Sequence, residues 1–356
     1  MSMHQRNIAN AQLPVYIIGA GGIVNTAHLP AYRLAGFNVQ GICDIDLTKA
    51  QTTAAAFGIP HVFECPEEML QQLPTNAVVD IAVPGPALIP LLQQIPDGTP
   101  VLLQKPMGEN MQEAQQILEI CRRKKLNAAV NFQLRYAPFI LEVKKMLQSG
   151  QLGEINDIEI NVSVYTPWHL WDFLMQSPRV EILYHSIHYI DLIRHMLGNP
   201  QTIYAKSTRH PSMPKLASVR SNIIMDFGDM IRGNIFTNHC HNYGKPKQHS
   251  YIKFEGSKGA VLINFGALIN YPRGEADSFE YVFLQEGQEP VWQERKIEGS
   301  WFPHAFIGSM EQLMLSVVSG INAPDNSVED CIHTMACVEA AYASSEQGGI
   351  QPRQFL

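Results

Sequence analysis

The chain has 356 residues, enough for about two domains of ordinary size. Apolar residues make up 46% and charged ones 17%, a globular balance, and the net charge of −7 from 26 basic and 33 acidic residues excludes the basic excess of a nucleic-acid binder. No apolar run approaches the roughly 18–20 residues that cross a bilayer, the polar start MSMHQRNIANAQLP has no signal-peptide core, and the cysteines form no CxxC pair, so a cytoplasmic protein with reduced thiols is expected.

Val15 to Gly19 reads as a buried strand of a parallel sheet. Further runs follow at Val39 to Asp44, at Ala77 to Val83 (stopped by Pro84), at Pro100 to Leu103 and at Asn127 to Asn131. Between them lie helix-like segments. Leu47 to Phe57 closes on Gly58, where a C-cap glycine belongs, and Met111 to Lys125 carries apolar residues at helical spacing with basic residues in its last turn. This alternation predicts an α/β, doubly wound Rossmann sheet over residues 1–132.

Residues 133–356 are expected to form a C-terminal α+β domain with a large, mostly antiparallel sheet. Ile155 to Tyr165 alternates apolar and polar residues, as do Ile203 to Thr208, Ser221 to Phe227, Met230 to His239, His249 to Glu255 and Ala260 to Asn264. Gly228-Asp229 reads as a hairpin turn, and helices are predicted at Val180 to Leu197, Ala305 to Ser319 and Val328 to Ser345, the last able to pack back on the first domain.

Gly19-Ala20-Gly21-Gly22-Ile23-Val24 follows the first strand and opens a helix. Gly19 permits a tight turn, Gly21 lets the backbone approach a pyrophosphate, and Gly22 and Ile23 start the helix whose N-terminus favours anions. Asp44, 20 residues past Val24, can accept both adenosine ribose hydroxyls and would repel a 2′-phosphate, so NAD is expected over NADP.

With this fingerprint, Leu103-Gln104-Lys105-Pro106 and His188-Tyr189-Ile190-Asp191, the sequence resembles the glucose–fructose oxidoreductase / inositol dehydrogenase / rhizopine catabolism (Gfo/Idh/MocA) family. The resemblance runs from about Pro14 to the C-terminus and includes HLPA (His28 to Ala31), RYAP (Arg135 to Pro138), FEGSKGA (Phe254 to Ala260) and EAAYASSEQG (Glu339 to Gly348). It implies a nicotinamide site in the first domain, touching Pro84, Gln104 and Lys105, a carbohydrate-like small-molecule substrate against the second sheet, and a homodimer or homotetramer that covers that sheet. Three departures stand out. Gln104 replaces the usual Glu, Tyr184 stands where an Asp usually precedes the motif histidine, and Val83-Pro84 replaces Thr-Pro.

Hydride transfer from an alcohol needs a base for the proton and a group that holds the oxygen. Lys105, after a buried strand, can hydrogen-bond a substrate hydroxyl, and the resemblance implies that it is the catalytic lysine. Tyr184, His188, Asp191 and His195 share one predicted helix face. A solvated face would explain that spacing equally well, and the resemblance implies a functional His188, whose imidazole suits a general base. Tyr184 is then a candidate to relay a proton or touch substrate. Asn131, Trp168, Trp171 and Asp191 are candidates to bind substrate, with Arg135 a hinge anchor. His239, Cys240, His241 and His249 do not complete a recognised metal site, so no metal is expected. Three activities remain open: an NAD-dependent dehydrogenase acting on a sugar, polyol or sugar acid; an enzyme of the same fold whose tightly held NAD gives net isomerisation or elimination; and a non-catalytic NAD-binding sensor.

Overall fold

Runs of branched apolar residues alternating with helices become strands that are covered on both faces. In the computed structural model, which describes residues 13–271, 273–320, 323–349 and 351–355, they form β1 (Val15–Ile18), β2 (Val39–Cys43), β3 (His61–Phe63), β4 (Val78–Ile81), β5 (Pro100–Leu103) and β6 (Asn127–Val130). All neighbours pair in parallel, in the order β3-β2-β1-β4-β5-β6. The order reverses between β1 and β4, which opens a crevice at the carboxyl ends of those strands. β3 escaped the sequence reading because it is a three-residue edge strand in which only Phe63 is buried.

Local signals set the helix ends. Asp46 caps the helix Leu47–Phe57 by accepting from the Lys49 N–H, and Gly58 ends it at φ 72°, a left-handed conformation that glycine adopts without strain. Ile17, Ile42, Val78 and Leu102 of the sheet share a core with Ala27, Tyr32 and with Phe306, Met310, Leu313 and Met314 of the helix Ala305–Ser319.

That helix changes the expected division of the chain. The first unit runs to Ala137 and resumes over Trp301–Met335; the second comprises Pro138–Ser300 and resumes at Ala336. The sequence boundary after residue 132 left 301–335 with the second domain. Their apolar face instead completes the core over β1 and β5, a long-range pairing that local patterning does not encode.

The second unit holds β7 (Ile155–Ser163), β8 (Thr202–Thr208), β9 (Arg220–Asp226), β10 (Arg232–Asn238), β11 (His249–Gly256), β12 (Gly259–Asn264), β13 (Ser278–Phe283) and β14 (Gln293–Glu294). They form one sheet in the order β14-β13-β12-β11-β7-β10-β9-β8, antiparallel except for the β7–β10 pair. Ile158, Ile160, Ile235, Ile252, Phe254 and Ile263 line its buried face. Between β9 and β10, Gly228 sits at φ 96° and donates its N–H to Asp226 Oδ1, making the expected hairpin turn. Among the described residues, no helix is long and apolar enough to cross a membrane.

Candidate active site

The glycine turn sits at the β1/β4 crevice. Gly19 has φ 111°, and a Cβ there would lie 2.4 Å from the Ala82 carbonyl oxygen, so only glycine lets the two chain segments meet. A Cβ on Gly21 or Gly22 would meet nothing within 4 Å, which leaves open space beside the backbone where a pyrophosphate needs to approach. Asn25 Nδ2 holds the Ala20 and Gly21 carbonyls at 3.0 Å, and Thr26 Oγ1 holds the Gly22 carbonyl at 2.8 Å. The first N–H groups of a helix lack intrahelical partners, so this start offers donors to an anion.

At the end of β2, Asp44 accepts from the Ala20 N–H through Oδ2 at 2.7 Å and from the Asp46 N–H through Oδ1 at 2.9 Å. A carboxylate has about four lone-pair sites, so each oxygen keeps capacity for a ribose hydroxyl. The open glycine cradle and an acid at the ribose end together fit a dinucleotide.

The next loops leave the carboxyl ends of β4, β5 and β6. Pro84 starts the helix Gly85–Gln94. Gln104 and Lys105 follow β5, where the Gln104 N–H is held by the Ile81 carbonyl at 2.9 Å. Gln104 Oε1 accepts from the Lys105 N–H at 3.0 Å, and the Lys105–Pro106 peptide is cis. Burial pushes the Lys105 ammonium down to about 8.

Behind Gln104 lies a polar network that the sequence reading missed. Asp80 stands inside the apolar run of β4 and is fully buried, which is costly for a carboxylate unless it is hydrogen-bonded. Its Oδ2 accepts from the Tyr32 hydroxyl at 2.7 Å and lies 2.7 Å from His28 Nδ1. His28 Nε2 faces Gln104 Nε2 and Asn131 Nδ2, each at 3.3 Å. His28 closes a π-helical turn, Val24–His28, in which the Leu29 N–H reaches back to the Val24 carbonyl. Burial, and then the Asp80 charge, raises the Tyr32 hydroxyl well above its ordinary range. An acid within an uninterrupted apolar run was the available signal.

The second unit contains a matching irregularity. The predicted helix Val180 to Leu197 is instead a π-helical turn, Ile182–Ser186, followed by the α-helix Ile187–Leu197. The wider turn shifts the α-helical register between Tyr184 and His188. Tyr184 packs on the cluster of Trp168, Leu174, Val180, Leu216, Val219 and Cys240, with the Phe173 ring edge-on at 5.5 Å. His188 is 6% exposed at the start of the α-helix.

Three residues expected to bind substrate are buried, as His188 is. Trp168, Asn131 and Asp191 are each 1% exposed. Trp168 packs edge-on against His185 at 5.0 Å and His239 at 5.8 Å; Asn131 serves His28; Asp191 sits on a helix whose residues from Ile187 to Arg194 are all buried. Trp171 is partly exposed, with Tyr271 at 5.5 Å. Arg135 is an anchor, donating to the Asp325 carbonyl at 2.6 Å and to Asp330 Oδ2 at 2.7 Å. His239 faces Thr166 Oγ1 at 3.0 Å, with Glu181 at 3.5 Å.

Comparison with known proteins gives matches over most of the chain. Residues 13–132 match the model of an oxidoreductase family with an NAD-binding Rossmann fold, Gfo/Idh/MocA, and residues 144–352 match that family's C-terminal alpha/beta domain. A D-apiose dehydrogenase of Paraburkholderia graminis is 22% identical over 93% of this chain and 87% of its own length. An inositol 2-dehydrogenase of Saccharopolyspora erythraea is 28% identical over 57% of this chain; the match spans 59% of that protein. The fold is shared with an oxidoreductase from Agrobacterium radiobacter solved with NAD+, L-tartaric acid and magnesium, at TM-score 0.78 and 21% identity, covering 97% of this chain and 100% of that one.

Proposed function

This chain belongs to the Gfo/Idh/MocA family of NAD-binding oxidoreductases, and on that premise we propose that it moves hydride between nicotinamide and a secondary hydroxyl of a sugar, polyol or sugar acid. The observation that carries this reading is Lys105. It leaves β5 at the same carboxyl edge of the parallel sheet as the glycine turn after β1, with its ammonium pushed down to about 8. Bound NAD supplies the hydride acceptor. A lysine that titrates near neutrality can donate to a substrate oxygen and favour its alkoxide.

His188 is the proposed base, and Tyr184 the proposed relay or substrate contact. Trp171 is the aromatic wall against which the C–H face of a sugar packs. Asp44 selects NAD over NADP. The named relatives act on apiose and inositol, which supports the carbohydrate class of the substrate. The open face of the second sheet carries exposed Tyr204, Ile224 and Phe236, with Tyr204 paired directly across from Ile224, and this supports a homo-oligomer that covers it.

The test is a panel of sugars, polyols and sugar acids with NAD. Net NADH formation on one class is expected. Turnover without net NADH would replace this reading with isomerisation or elimination, and NAD binding without turnover across the panel would remove the enzymatic reading.

A further inference from the structure

We propose that His28 and Asp80 are positioning residues for Lys105: a buried relay through them holds the Gln104 side chain in the single orientation that ties down the Lys105 backbone, and it does so with a neutral His28 carrying its proton on Nδ1. The proposal rests on the reading of Lys105 as a reacting group.

The orientation of Gln104 follows from its two contacts. Oε1 lies 3.0 Å from the Lys105 N–H, a donor, so Oε1 accepts there. The amide nitrogen, which can only donate, therefore faces His28 Nε2 at 3.3 Å. A second amide nitrogen, Asn131 Nδ2, meets the same ring atom at 3.3 Å. Nε2 thus bears a lone pair, and the ring proton belongs on Nδ1, 2.7 Å from Asp80 Oδ2. Tyr32 donates to the same carboxylate oxygen.

Among the described residues, Asp80 and Tyr32 are the titratable groups in contact with His28. Its other hydrogen-bonding and ring neighbours are the two amides and the Phe306 ring at 5.1 Å. A second proton on His28 would point at two N–H donors. For Gln104 to accept that proton, it would have to turn its oxygen toward the ring and release the Lys105 N–H. Asp80 alone favours the charged ring, and the amides of Gln104 and Asn131 together oppose it.

The charge on residue 104 therefore sets the proton count of the relay. With Gln104, the only charge is that of Asp80. With Gln104→Glu, residue 104 can only accept from both sides, and the ring must carry a proton on each nitrogen. The total charge stays the same, because the new carboxylate and the imidazolium cancel, and the tie to the Lys105 N–H survives. Gln104→Met, of similar length, makes neither contact.

The experiment is NMR of the ring nitrogens in the full chain labelled at histidine, without substrate, at about pH 7. The His28 signal is assigned by its loss in His28→Gln. The expected result is a neutral ring with its proton on Nδ1 in the parent protein, and a doubly protonated ring in Gln104→Glu. Kinetics supply the second arm: Gln104→Met lowers kcat about 10- to 100-fold, the scale of a small misplacement of a reacting group, and lowers it more than Gln104→Glu does, because the glutamate keeps the tie to the Lys105 N–H. A charged His28 or a proton on Nε2 in the parent protein, an unchanged ring in Gln104→Glu, or full kcat in Gln104→Met would each overturn the proposal. Full turnover in Lys105→Met sinks the reading of Lys105 on its own, since the ring states are measured without any catalysis.

Discussion

The N–H of Ala20 donates to Oδ2 of Asp44 across 2.7 Å, so the acid that ends β2 also closes the glycine turn that follows β1. Sequence spacing suggested a ribose acceptor 20 residues beyond the fingerprint. The structure adds that the same carboxylate shapes the glycine turn.

Asp44→Ala should therefore do two things at once. A hydrogen bond to a charged group contributes about 1.5–3 kcal/mol, so NAD affinity should fall about 10- to 100-fold, and the preference over NADP should narrow. Loss of the Ala20 tie should also lower the melting temperature of the protein without cofactor. Calorimetric titration with both cofactors checks the first effect; equal affinities in the parent protein would sink the assignment.

Lys105→Met should lower kcat by about 10² to 10⁴ while leaving NAD affinity nearly intact. It should also stabilise the protein at pH 7. Between pH 8 and 10.5 the unfolded chain still holds a proton that folded Lys105 has lost, so the stability of the parent protein rises with pH in that window. Below it, the buried ammonium penalty is present in full. The gain from Met should thus be about 1–3 kcal/mol at pH 7 and fade toward pH 10.5, as read from urea unfolding at a series of pH values.

His188→Ala should lower kcat by about 10² to 10⁴, and the double variant with Lys105→Met should be little worse than the poorer single one if the two groups work as a unit. Tyr184→Phe separates two roles. A relay predicts a lower kcat with an altered pH profile; a packing role beside Trp168 and Phe173 predicts an intact kcat with a changed KM. Full turnover in His188→Ala would transfer the base assignment to Tyr184.

Light scattering at micromolar concentration should show a dimer or tetramer. Ile224→Glu with Phe236→Glu, on the open face of β9 and β10, should shift it toward monomer while leaving the fold intact by circular dichroism. A monomeric parent protein would refute the interface.

The sequence by itself determined the β1 turn, the acid at its partner strand, the lysine after β5 and the parallel α/β class of the first sheet, because each is written in contiguous residues whose backbone needs are local. Gly19 must turn, Asp44 must end a strand, and apolar runs must be buried. Tertiary structure alone decided who meets whom across long separations. It brought the helix Ala305–Ser319 to the core of the first unit, and it set the burial of Trp168 and Asp191. It also gathered His28, Asp80, Gln104 and Asn131 around one imidazole. Those four lie on a helical turn and at three strands that are neighbours only in the sheet, and the energy that orders them, the need of a buried carboxylate for donors, arises only once water has been excluded from the fold.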